Sequence, residues 1–135
     1  MMIIEIDNHS GVPIYTQVIE QIKQYVLSGN LSEGTQLENV RGLAARLMVN
    51  PMTISKAYNQ LERDGIIERR RGIGMFVKPM SKGIKKDFKS QTAKDSFKKA
   101  AATAVLMKYT EEEAVDLLRE MYRKLKNEQG ENKDE

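Results

Sequence analysis

The stretch Asn50–Gly65, NPMTISKAYNQLERDG, constrains the fold more than any other part of this 135-residue chain. Asn is favoured at a helix N-cap because its side-chain oxygen accepts a free backbone N–H, and Pro is preorganised for the position that follows. Ile54, Ala57, Tyr58 and Leu61 recur at three- and four-residue spacing and mark one buried face. Gly65 supplies the left-handed residue that ends such a helix. Met52, Thr53, Ser55, Lys56, Asn59 and Arg63 are left outward or flanking.

The flanking sequence sets this helix in a pattern. Met2–Ile6 alternates weakly and reads as an extended arm. Pro13–Ser28 reads as a helix, with Ile14, Val18, Ile22 and Tyr25/Val26 on its inner face and Gly29 at its end. The segment 29–37, with two glycines, reads as a loop. Val40–Leu47 reads as a short helix capped by Asn39, with Leu43, Ala44 and Leu47 inward. Met48–Asn50 is then a tight turn. After Gly65, the runs GIIE and GMFV flank RRRGI, and Gly72 and Gly74 suit a hairpin turn. A short helix, a tight turn and a capped second helix form a helix-turn-helix, whose second helix enters the DNA major groove N-terminus first.

Charge supports an anionic partner for this region. Residues 51–86 hold nine Lys/Arg against three Asp/Glu, whereas residues 110–135 hold five against nine. Lys56 and Arg63 have the reach for phosphates or guanine, and Asn59 matches adenine. The hairpin then acts as a wing: Arg69, Arg70 and Arg71 meet phosphates or the minor groove, and Gly72 permits close backbone approach.

Residues 79–92, with Pro79 and Gly83, read as a flexible linker. Two helices follow, at Ala93–Tyr109 and Glu111–Lys126. Thr110 and Glu113 form a T-x-x-E capping box, with acidic residues in the first turn and basic ones in the last. Leu117, Leu118, Met121, Tyr122 and Leu125 read as the core of the last helix. Two helices with such wide apolar surfaces cannot bury both faces alone, so a homodimer is expected, through Phe97, Leu106, Leu118, Met121 and Tyr122. The expected fold is mainly α with a small β-hairpin. It comprises a winged helix-turn-helix over 1–78, a linker over 79–92, a two-helix C-terminal dimerisation appendage over 93–128 and a polar tail over 129–135. Two helices packing their own core leave no drug-sized cavity within one protomer.

Other chemistries find no support. The chain has no cysteine, which removes disulfides and thiol nucleophiles. His9 lacks the company a metal site needs, Ser10 and Ser55 have no histidine partner, and Gly72–Gly74 follows no βα pattern. The expectation is no enzyme activity, no cofactor and no metal. No apolar run approaches the ~18 residues of a membrane helix. MMIIEIDNHSG lacks the basic and apolar regions of a secretory leader, so the chain reads as cytoplasmic, with no membrane partner.

The segment LENVRGLAARLMVNPMTISKAYNQLERDGIIERRRGIGMFV resembles the winged helix-turn-helix of GntR-family bacterial transcription regulators, and the resemblance runs from about Pro13 to Val77. It implies DNA contacts at Arg41, at Asn50, Pro51, Thr53 and Ser55 with Lys56 adjacent, and at the wing-tip pair Arg71 and Gly72. The short helical C-terminal part resembles the YtrA-type subgroup, in which it serves dimerisation. That resemblance implies a repressor of transporter or cell-envelope operons. The implied partner is double-stranded DNA carrying an inverted-repeat operator; any small-molecule effector is unknown. A winged helix used only as a protein-interaction module is the alternative. The chain departs from the family pattern at Glu38-Asn39, where Pro-Ser is usual, and at Gly42, where Glu is usual. Gly42 lowers helix propensity by ~1 kcal/mol relative to Ala, and Glu38 brings a negative charge towards the expected DNA face.

Overall fold

The computed structural model describes residues 2–133. They divide into two compact units, with the boundary between residues 89 and 90.

The first unit is built on three helices, α1 (Ile14–Leu27), α2 (Val40–Leu47) and α3 (Pro51–Arg63), followed by the antiparallel strands β1 (Ile67–Arg70) and β2 (Gly74–Val77). The helical spacing of apolar residues becomes a common core. Val18, Ile22, Leu43, Ile54, Tyr58 and Leu61 are buried together with Ile66, Ile67 and Val77. The caps form as the sequence requires: Asn39 Oδ1 accepts from Gly42 N at 2.7 Å and Asn50 Oδ1 from Met52 N at 2.9 Å. Met48 closes the turn between α2 and α3 in the left-handed conformation, φ +58°. There Met48 N–H reaches the Ala45 carbonyl (3.2 Å) and Val49 N–H the Ala44 carbonyl (3.0 Å), which satisfies two carbonyls at the end of α2.

Two features of this unit lie outside the expected pattern. The loop 29–37 contributes a third extended segment beside β2. Leu37 N–H donates to the Met75 carbonyl (2.8 Å), Val77 N–H to Thr35 (2.9 Å), and Gln36 bridges Phe76. The arm is extended, as expected, and it is also sewn to α1 by side chains. Gln17 and Gln21 each accept from and donate to the backbone of Asp7 and Glu5, and the Tyr25 hydroxyl does the same at Ile3, all between 2.7 and 3.1 Å. Met2 and Ile4, on the other edge of the arm, join the core.

The linker expected over 79–92 is helical from Lys82. Helix α4 runs Lys82–Leu106 without a break. Ser81 caps it, accepting from Ile84 N at its hydroxyl (3.2 Å) and from Lys85 N at its carbonyl (2.9 Å). Pro79 lies before the cap and Gly83 lies in the first turn, so neither interrupts the helix interior. The lysines that resemble linker composition are good helix formers, and Phe88 and Met80 pack on the core of the first unit.

Helix α5 runs Glu111–Lys133. It continues past the expected end near Lys126, through part of the 129–135 tail; residues 134 and 135 lie outside the described residues. The capping box is formed, with Thr110 N donating to Glu113 Oε1 (3.0 Å) and Glu113 N to Thr110 Oγ1 (3.1 Å). These bonds hold the Glu113 carboxylate below its ordinary range. The residues expected to form a core here are not buried in the single chain. Phe97, Leu117, Leu118, Met121, Tyr122 and Leu125 are all exposed, and α4 buries none of its residues. The two helices therefore leave a groove of about 590 Å³ between them, with Thr103 and Tyr109 the polar residues on otherwise apolar walls. The expectation that Leu117, Leu118, Met121, Tyr122 and Leu125 form a core is not met within the single chain, where their apolar faces stay open.

Candidate nucleic-acid interface

The face expected to meet DNA begins at the N-terminus of α3. Pro51 occupies its first turn, and Asn50 carries the cap, so the Asn50 side-chain oxygen is committed to the backbone. Thr53 and Ser55 are half-buried, close against the helix surface. Lys56 is exposed, with Nζ 4.3 Å from the centroid of the Tyr15 ring on α1. A cation over a ring face is held by the ring's quadrupole, so Tyr15 aims a side chain that is otherwise free to swing.

Arg41 lies exposed in the first turn of α2 and has no partner among the described residues. Just before α2, the Glu38 carbonyl accepts from the Tyr58 hydroxyl at 2.7 Å. Burial, and next the Glu38 charge, raise the Tyr58 phenol well above its ordinary value. The Glu38 carboxylate does not stand alone. Arg46 Nη2 approaches it to 2.8 Å, and Arg46 also donates to the Met2 carbonyl at 3.1 Å. The negative charge that the sequence brings towards the DNA face is thus paired locally. Gly42 has a local use as well: a Cβ there would come within 3.1 Å of the Asn39 oxygen that caps the helix.

The three wing arginines differ in what holds them. Arg69 reaches back to α3, donating to Asn59 Oδ1 at 3.2 Å and approaching Glu62 to 3.5 Å. Arg70 lies over the Phe76 ring, 4.0 Å from its centroid, and pairs with Glu68 at 3.3 Å. The strand register explains this. Arg70 faces Gly74 across the hairpin, and with no side chain there it leans diagonally onto Phe76. Arg71 has no partner among the described residues. It shares the turn with Gly72, whose φ of +73° lies in the left-handed region.

Arg41, Lys56, Asn59 and the wing thus belong to one unit whose scaffold fixes Lys56, Asn59, Arg69 and Arg70 and leaves Arg41 and Arg71 free. Tyr15, Gln36, Phe76 and Arg46 escaped sequence reasoning because each acts across the fold. The Arg70–Phe76 pairing alone had a local signal, the glycine opposite Arg70 in the hairpin.

The family of bacterial regulatory proteins known as gntR matches residues 14–77, from α1 to the end of β2. The HTH-type transcriptional repressor YtrA of Bacillus subtilis (strain 168) is 42% identical over 95 residues, which are 70% of this chain and 73% of that protein. The chain belongs to the GntR family. As a GntR protein it is a DNA-binding transcription regulator and not an enzyme. A transcriptional antiterminator from Listeria monocytogenes EGD-e has a TM-score of 0.71 and 32% identity over 89% of this chain and 90% of that one. YtrA from Sulfolobus acidocaldarius, a GntR-family transcription factor, has a TM-score of 0.54 and 27% identity over 91% and 99%. Both matches extend past the wing into the C-terminal helices, and the chain is a GntR protein of the YtrA type. No helix among the described residues is long and apolar enough to cross a membrane.

Proposed function

We propose that this regulator is a cytoplasmic repressor that binds an inverted-repeat operator as a homodimer. The observation that carries the reading is the uncovered apolar face of α4 and α5. Leu106 is 80% exposed and Leu118 is 50% exposed, in a chain whose other unit buries its own core. A second copy covering Phe97, Leu106, Leu118, Met121 and Tyr122 removes this surface from water, and two-fold symmetry is the usual arrangement. Two-fold proteins mirror operator symmetry, with half-sites about one helical turn apart.

In each half-site, Thr53, Ser55 and Lys56 read base edges from the front of α3, with Asn50 and Pro51 fixing how that front is presented. Asn59 keeps its amide NH2 for a base while its oxygen holds Arg69. Arg41, Arg70, Arg71 and the Gly72 backbone anchor phosphates. From the resemblance to YtrA-type regulators, we read the targets as transporter or cell-envelope operons.

Selection from random duplex DNA tests the reading. It is expected to return a palindrome, bound by a species of twice the chain mass in sedimentation. Arg71→Ala is expected to weaken all sequences alike and to lower the salt slope by ~1. An asymmetric motif bound by a monomer defeats the dimer reading. No salt-dependent DNA binding at all favours a protein-interaction module.

A further inference from the structure

The tip of the wing carries an aliphatic side chain for which the protein itself has no use. Ile73 is 64% exposed, in the turn between Gly72 and Gly74. Both of its backbone polar groups are engaged: its N–H donates to the Arg70 carbonyl at 3.0 Å, and its carbonyl accepts from Gln36 Nε2 at 3.0 Å. Gln36 reaches it from 37 positions upstream, across Gly74. A Cβ at position 74 would stand 2.9 Å from Gln36 Nε2, and the Gly74 φ of +143° also disfavours a side chain. The tip is therefore narrow and braced from the neighbouring segment, and it presents Ile73 beside the unpartnered Arg71.

Resting on the reading that the wing meets DNA, we propose that Ile73 is a specificity-determining residue that probes the minor-groove floor and disfavours a G·C pair beneath the wing. The minor groove is about 6 Å wide; A·T and T·A present only acceptors there, whereas G·C adds the guanine 2-amino donor. An aliphatic group against that donor strips its water and offers no acceptor in return. The acceptor on the same residue, the Ile73 carbonyl, is already committed to Gln36. Arg71, in the same turn, anchors the tip on the flanking phosphates and leaves the choice of base pair to Ile73. Gln36 is thus a positioning residue: it braces the tip and keeps the carbonyl from guanine.

The test uses the full-length protein and a site selected from random duplex DNA, with hydroxyl-radical protection locating the base pair beneath each wing. Affinity is measured with that pair as A·T, as G·C and as inosine·C, which differs from G·C by lacking the 2-amino group. Wild type is expected to bind A·T and inosine·C alike and G·C about tenfold more weakly. Ile73→Ser is expected to bring the three within about twofold of one another. Gln36→Met, which frees the carbonyl and leaves the aliphatic tip in place, is expected to narrow the discrimination at an unchanged melting temperature. Equal wild-type binding to G·C and inosine·C, or full discrimination in Ile73→Ser, overturns the proposal while DNA binding stands. Full discrimination in Gln36→Met overturns the role given to Gln36. Failure to select any site overturns the wing proposal and the operator reading together.

Discussion

Helices α3 and α5 are both amphipathic and both well capped, yet they treat their apolar faces in opposite ways. In α3, Ile54, Ala57, Tyr58 and Leu61 are all buried within the chain. In α5, Leu117, Leu118, Met121, Tyr122 and Leu125 are all exposed. Periodicity in a sequence states that a face must be covered and does not state by what. For α3 the cover is α1, α2 and the hairpin, all within its own unit. For α5, α4 and one turn cannot supply it. The first unit buries its core within one chain, while under the proposed dimer the second places its stability in association, where it depends on concentration.

Four substitutions break or sharpen this contrast. Leu118→Glu puts a charge in the apolar face of α5 and is expected to have the largest effect. It should halve the sedimenting mass and weaken operator binding by about 100-fold or more, since a second anchor contributes 10²–10⁴ in avidity. Unfolding of the first unit should be unchanged. Leu61→Ala reverses the pattern. It opens a cavity in the core and should destabilise the first unit by about 3 kcal/mol in urea unfolding, with the dimer mass retained. Tyr58→Phe leaves the Glu38 carbonyl without its donor and should lower stability by ~1–2 kcal/mol. It has a pH signature too. A phenol raised in the folded state contributes stability present below its ordinary value of 10.0 and lost as pH rises past it. Alkaline unfolding should therefore be steeper in wild type than in Tyr58→Phe. The smallest effect concerns Glu113. Its carboxylate is held low by the capping box, so its contribution is present above the ordinary value of 4.5 and lost as pH falls below it. The Thr110 amide resonance should titrate with a midpoint below 4.5 in wild type and stay flat in Glu113→Gln.

The parts of the fold that were legible in the sequence are those written locally. Asn39, Asn50 and the Thr110–Glu113 pair cap the helices they precede, and the arginine-glycine turn closes the hairpin between them. The start of α4 was not legible, because Lys-rich composition suits both linkers and helices, and Phe88 settles the matter only by packing on a distant core. The third extended segment at Gln36 has no periodicity of its own and exists through its bonds to β2. At the interface, the arginines were visible as charge. Their division into braced Arg69 and Arg70 and free Arg71 depends on Asn59, Phe76 and the gap at Gly74, which only the register brings together.

The seam between the arm and α1 works as a vernier. Its rungs are spaced by four residues on the helix, about 6 Å, and by two residues on the extended arm, about 6.7 Å. Each step therefore slips by roughly 0.7 Å. Across the three rungs at Gln17, Gln21 and Tyr25 the slip is small enough for side-chain torsions to absorb, and the longer tyrosine stands at one end of the series. A longer seam would run out of step with itself. Because every rung grips main chain rather than side chain, the outward residues Ile3 and Glu5 can be exchanged without loosening the seam, whereas inserting one residue in the arm would put every rung beyond it out of phase.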